Sequence, residues 1–382
     1  MRYIASALLI LGCAHTPVEN RAPERAMYIV TLGNDTTYIE WLTINGVSID
    51  MKVVERIPRV RSIHLTATLH DDGTIASLDR RAYLPNAADT SPVERATIRE
   101  IGDSTIFETT TRTTTSRYAT YGRSPLVVGA YNGFALPVIA HYAPERVGDS
   151  IVTTHVGGFY GDRPLIIKRI SSDSITLTGP HLGRAAVHAR NGKSNGFASI
   201  GTINFIGARA KPLPFDSVLK AFADAERTRG MMGSSSPRDT ARATIDGATL
   251  MVDYGRPSKR GRKIFGGIVP WNQVWRVGAN EATQLTTDRA LRFGQNELPA
   301  GKYSLWILPT PSEFMLIVNK ETDQWGTDYN QPFDLFRVPL VRREMDRVTE
   351  KFTIAMDSNG SEGNIRFRWD NVELSAPFTV VR

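Results

Sequence analysis

The chain has 382 residues, 41% of them hydrophobic and 22% charged, enough to bury more than one core at roughly 100–200 residues per domain. Its 46 Lys and Arg against 39 Asp and Glu leave a formal charge of +7, too modest and too scattered for a nucleic-acid binder. The lone cysteine, Cys13, excludes disulfide stapling, a cysteine-rich zinc site and a CxxC redox pair. All seven histidines lie at or before His188, so the second half of the chain has neither a histidine base nor a histidine ligand of its own.

The N-terminus carries one charge in Met1-Arg2-Tyr3, then the largely apolar stretch from Ile4 to Leu11, then Gly12-Cys13. A charged start, a short apolar run and a small residue before a cysteine resemble a bacterial lipoprotein signal, which implies acylation of Cys13 and an exported, membrane-anchored protein on the periplasmic side of the outer membrane. Plain secretion, or an apolar N-terminal element with a buried cysteine, are the alternatives. The run is too short to span about 30 Å of hydrocarbon as a helix. Residues 1–26 are thus expected to be signal and tether.

Residues 27–229 read as a β-rich unit. Tyr28 to Leu32, Thr37 to Ile44, Ser62 to Leu69, Thr74 to Asp79, Ala96 to Arg99 and Ser104 to Thr110 alternate with period two between Gly, Asn and Asp turns. Segments from Ser150, Leu165 and Ser174 continue the rhythm, and Leu182 to Arg190 with Phe197 to Phe205 suggest a neighbouring pair. A curved, mostly antiparallel sheet is the simplest architecture. The apolar, glycine- and proline-broken stretch from Pro125 to Ala140 either completes the core or walls a hydrophobic-ligand cavity, as in a lipid carrier. His64 and His70, six apart in a strand, are roughly 20 Å apart and cannot share a metal, and no histidine here completes a metal motif. Between Asp173 and Asp216 there is no acidic residue, so a basic patch is expected there.

Asp216 to Arg227 reads as a helix, with Asp216 as N-cap and Val218, Leu219, Phe222 and Ala225 as its apolar stripe. The glycine- and serine-rich residues 230–243 read as a linker. Residues 244–382 again read as strands, with Ile245 to Asp253 as the first, and a β-sandwich is the economical answer. The fold class is therefore all-β: a curved antiparallel sheet domain with a helix, followed by a β-sandwich domain.

In that second unit, Tyr254-Gly255-Arg256-Pro257-Ser258 through Arg262-Lys263, and Val269-Pro270-Trp271-Asn272 through Arg276-Val277-Gly278-Ala279-Asn280-Glu281, pack polar groups densely among glycines and aromatics. With Leu298-Pro299-Ala300-Gly301-Lys302-Tyr303-Ser304-Leu305 and Asn319-Lys320 through Gln324-Trp325-Gly326, this region resembles the bacterial domain-of-unknown-function family numbered 2911 over essentially residues 250 to 380. The resemblance implies a secreted or periplasmic β-rich domain with no established reaction, and it does not reach residues 27 to 230.

Tyr254, Arg256, Ser258, Arg262, Lys263, Arg276, Asn280 and Glu281 are the candidate anion- or ligand-binding residues, since an arginine fork suits carboxylate or phosphate and glycines let the backbone approach. The same set also suits a buried network with Arg276 paired to Glu281, Trp271 and Trp275 plugging the core, and Lys259 and Arg260 solvated. For catalysis, Ser258 with Lys263 as base, or Glu281 as a base for water, are the candidates; the catalytic residues stay unknown. Neither metal nor cofactor is implied. The expected role is binding or scaffolding at an envelope surface, with the membrane, an envelope protein or an anionic ligand as partner. A hydrolase acting on an anionic substrate and a lipid carrier are the alternatives.

Overall fold

The computed structural model describes residues 23–71, 74–85, 90–122, 147–153, 165–179, 183–190, 193–200 and 205–381. Cys13, the stretch from Pro125 to Ala140, His141, His155 and His181 lie outside the described residues, and with them the expected anchor and the expected cavity wall.

Strands β1 (Glu24–Leu32), β2 (Asp35–Asn45), β3 (Ser48–Glu55), β4 (Arg61–Leu69), β5 (Ile75–Tyr83), β6 (Glu94–Ile101), β7 (Ser104–Thr111) and β8 (Thr115–Tyr121) form one antiparallel meander. A second comprises β9 (Ser150–Thr153), β10 (Leu165–Ser171), β11 (Ser174–Gly179), β12 (Gly183–Arg190), β13 (Lys193–Ile200) and β14 (Phe205–Ala210). Because β14 pairs with β1, the two meanders fuse into one open fourteen-stranded sheet with β8 and β9 at its edges. Side chains alternate across a pleat, and in β4 Ile63, Leu65, Ala67 and Leu69 are buried while His64, Thr66 and Thr68 are exposed. The same alternation gives the sheet one apolar face, whose core runs from Phe107 on β7 to Ile167 on β10.

Helix α1 (Phe215–Arg229) packs on the other face. Phe215 sits edge-on to Trp41 and His64, and Arg56 lies over the Phe222 ring at 4.6 Å. The N-cap is Pro214 rather than Asp216, with no side-chain capping bond; Asp216 falls in the first turn, where a carboxylate complements the helix dipole instead.

In the second unit, β15 (Arg238–Ile245), β16 (Ala248–Gly255), β17 (Thr283–Thr287), β20 (Gly301–Pro309), β21 (Phe314–Asn319) and β22 (Asp334–Pro339) make a six-stranded sheet. A four-stranded sheet comprises β18 (Leu291–Phe293), β19 (Asn296–Leu298), β23 (Val341–Asn359) and β24 (Glu362–Val380). Leu250, Leu285 and Leu305 of the first share one core with Phe293, Phe352, Phe367 and Trp369 of the second, a sandwich as expected. The single strand expected from Ile245 to Asp253 is instead a hairpin. Asp246 and Gly247 both adopt positive φ (44° and 78°), the Asp-Gly signature of a two-residue turn, so residues 238–243 are paired strand and only 230–237 connect α1 to β15. No helix among the described residues is long and apolar enough to cross a membrane.

Candidate functional site

The polar segment leaves β16 and crosses the end of the sandwich. Tyr254 is 2% exposed; its ring meets Phe352 edge-on and its hydroxyl accepts from Ile354 N at 3.2 Å. Burial raises its pKa, so it is a core residue rather than a ligand-facing phenol. The Arg256 guanidinium donates to Phe352 O (3.2 Å), Asp239 Oδ2 (3.1 Å) and Thr353 Oγ1 (3.1 Å), joining β15 to β23. Ser258 is buried and its backbone bridges Lys351. Lys263 is exposed.

Lys259 and Arg260 are not the solvated residues expected. Lys259 pairs with Asp370 and Arg260 with Asp35, the first residue of β2. Asn34 N donates to Arg260 O at 2.9 Å, and Gly33 comes so close that a Cβ there would stand 2.1 Å from that oxygen. Arg262 folds back onto its own loop, with Nε to Lys259 O (2.9 Å) and Nη2 to Ser258 O (2.5 Å). Desolvation, reinforced by the Arg260 charge, pushes its pKa down to about 10.

The second half of the segment is held through backbone turns. Trp275 exchanges both backbone hydrogen bonds with Ile307 at 2.8 Å and stacks on Trp369, which places it in the core as expected. Thr283 Oγ1 donates to Val277 O at 2.7 Å, and Gly326 N donates to Asn280 O at 2.9 Å. Arg276 is 5% exposed with its side chain against Gly326. The expected Arg276–Glu281 pair does not form: Glu281 points outward and its carboxylate takes Arg238 Nη1 at 3.0 Å. The backbone turns over at Val277 and Asn280, both at positive φ, which separates the two side chains.

Of the eight candidates, Arg262, Arg276 and Asn280 meet on one cavity of ≈50 Å³, shared with Ser235 and Ser236. Tyr254, Arg256, Ser258, Lys263 and Glu281 do not line it. No hydrogen bond among the described residues joins Ser258 to Lys263, and none of the described His, Cys, Asp and Glu side chains gather in a group of three fit to hold a metal.

The sequence reading passed over a polar cluster on the opposite face of the six-stranded sheet. Ser304 Oγ accepts from Trp306 Nε1 (2.9 Å) and Gln324 Nε2 (3.0 Å) and donates to Glu321 O (2.7 Å). Nearby, Asp334 accepts from Asn319 Nδ2 (2.9 Å), Tyr329 Oη (2.6 Å) and Arg337 Nη2 (2.7 Å). Burial and the Asp334 carboxylate push the Tyr329 pKa up to about 12. The signal was present, since Ser304, Asn319 and Gln324 stand in the motifs that carry the family resemblance. Without a fold nothing brought the three stretches together.

An all-β sandwich whose polar segment is bonded into the scaffold defines a class of domain rather than an activity. Residues 236–378 match the model of a family described as a protein of unknown function (DUF2911), which confirms the resemblance read from the sequence over the second unit. No curated protein matches the chain. Among solved structures, a DUF1089 family protein from Pseudomonas aeruginosa aligns at 7% identity and a TM-score of 0.29, over 43% of this chain and 90% of that one. The isotype 1 transferrin binding protein B of serogroup B Neisseria meningitidis aligns at 9% identity and a TM-score of 0.14, over 91% of this chain and 66% of that one. Likenesses this slight carry no inference about fold or activity.

Proposed function

We propose that the protein is a non-catalytic binding or scaffolding lipoprotein of the bacterial envelope, in which residues 254–281 clamp the two sheet systems together. The observation that carries this reading is the fate of the segment's cations. Arg256, Lys259, Arg260 and Arg262 each donate to acceptors of the chain itself, and a guanidinium held in a fixed internal fork is not free to receive a substrate. Ser258, the candidate nucleophile, is buried, whereas Lys263, its candidate base, is exposed. That division speaks against the hydrolase reading, which needs the two within hydrogen-bond reach.

The envelope location rests on Ile10-Leu11-Gly12-Cys13, and the membrane is the partner through an acyl chain on Cys13. Cell fractionation of Cys13→Ser tests it. The variant is expected in the soluble fraction with both units folded, and a variant that sediments with membranes like the parent after a high-salt wash overturns the anchor. Full biological function in a Ser258→Ala, Lys263→Ala double variant is the matching expectation for a clamp without turnover.

A further inference from the structure

We propose that the end of the first sheet where β1 begins is a docking surface for an anionic lipid bilayer, made by Arg25, Arg190, Lys193 and Lys211. The strand ends that carry them are neighbours. Arg190 closes β12 and pairs in register with Lys193, the first residue of β13. Strand β13 pairs with β14, which Lys211 follows, and β14 pairs with β1, of which Arg25 is the second residue. At about 4.8 Å between strands, the four cations stand on a front roughly 15 Å wide. Arg209 draws that front together, donating from Nη1 to Glu24 Oε1 (3.1 Å) and Ser194 O (3.5 Å) and from Nη2 to Arg25 O (2.8 Å).

The balance of charge at this end is positive. Glu24 is the only carboxylate on β1, β12, β13 and β14, and it is buried and already bonded to Arg209. Asp173, in the turn before β11, lies 3.8 Å from Arg190, and both side chains are mostly exposed, so solvent screens that pair. Arg25, Lys193 and Lys211 are exposed, and no ion pair or hydrogen bond among the described residues holds their side chains. Cations gathered on one surface without counter-charges attract an anionic partner. A membrane is favoured over an acidic protein by the place where the chain enters, a step that rests on the envelope reading. Cys13 stands eleven residues before Glu24, so a lipid on Cys13 keeps this end of the sheet within about 40 Å of the bilayer. One acyl chain holds a protein reversibly, and a cluster of Lys and Arg is the second signal that makes the attachment stable.

The test uses the full chain carrying Cys13→Ser, which separates this surface from the anchor. Sedimentation is measured with vesicles of phosphatidylcholine alone and with vesicles of equal parts phosphatidylcholine and phosphatidylglycerol. The expected result is binding to the mixed vesicles only, with release at about 1 M salt, where the screening length falls to about 3 Å. Adding Arg25→Gln, Lys193→Gln or Lys211→Gln should weaken binding about fivefold each, and all three together about a hundredfold. Arg347→Gln, which removes an exposed cation of the sandwich, should leave binding unchanged. Equal binding to both kinds of vesicle, binding to neither, or a triple variant with an unaltered thermal midpoint that binds undiminished overturns the proposal. Binding to polyglutamate without binding to the mixed vesicles overturns it too, and assigns the surface to an acidic protein. Because salt releases this contact, fractionation after a high-salt wash still reads the anchor alone, and the two readings fail separately.

Discussion

Gly326 has no room for a methyl group: a Cβ there would lie 1.8 Å from Arg276 Cδ and 2.4 Å from Asn280 O. Gly326→Ala must displace either the buried arginine or backbone, and overpacking of this kind costs about 1–3 kcal/mol. Denaturant melts of the parent and variant check this, and an unchanged midpoint would show that Arg276 moves aside freely. Glu281→Ala should cost less than about 1 kcal/mol, because its partnership with Arg238 is a half-exposed surface pair. In the first sheet, Asp79 takes bidentate bonds from Arg95 and Arg81, and those bonds, Arg95 first, hold its pKa below the ordinary value. A carboxylate depressed on folding adds stability that is fully present above its unfolded pKa, near 3.9, and is lost as pH falls through the lower folded value. Asp79→Asn should therefore lower the thermal midpoint at neutral pH, and its difference from the parent should close in acid; a gap that persists there would assign the loss to packing.

At the scale of elements, the β1–β2 turn is what the loop from Lys259 to Arg262 grips. Gly33 sits at φ 60° with Arg260 O against it, so Gly33→Ala both strains the left-handed backbone and pushes the loop away. A double-mutant cycle of Asp35→Asn and Arg260→Gln is expected to show coupling of about 1 kcal/mol, since Asp35 remains 41% exposed and solvent screens part of the pair. Additive single effects would mean that the turn is held by backbone alone. Element recognition in the sequence succeeded where the period was clean. It fails at the hairpin of β15 and β16, where Ile245 to Asp253 reads as one run although Asp246-Gly247 is a turn signal, because apolar residues flank that turn on both sides. It also passed over β3 (SIDMKVVE), whose alternation is clear once β2 and β4 are on either side of it.

For the whole molecule, the apolar core of the fourteen-stranded sheet and that of the sandwich have no residue in common. We therefore expect a fragment from Arg238 onward to retain a cooperative thermal transition, and its loss would mean that the clamp is part of one shared core. Trypsin should cut the intact chain first after Arg227 or Arg229, exposed at the end of α1. Arg238 and Arg242 are held in the β15–β16 ladder and should be protected. The sequence by itself determined the strand rhythm, the all-β class, the helix and the family of the second unit, because pleat alternation and turn chemistry are local properties that a few neighbouring residues express. Only the tertiary structure decided which charges meet. Lys259 finds Asp370 from 111 residues away and Arg260 finds Asp35 from 225, while Glu281, only five residues from the expected partner Arg276, turns to Arg238. Such pairings depend on strand order and on how the loops dock. Residue type and spacing say that a charge needs a partner, and the fold alone supplies one.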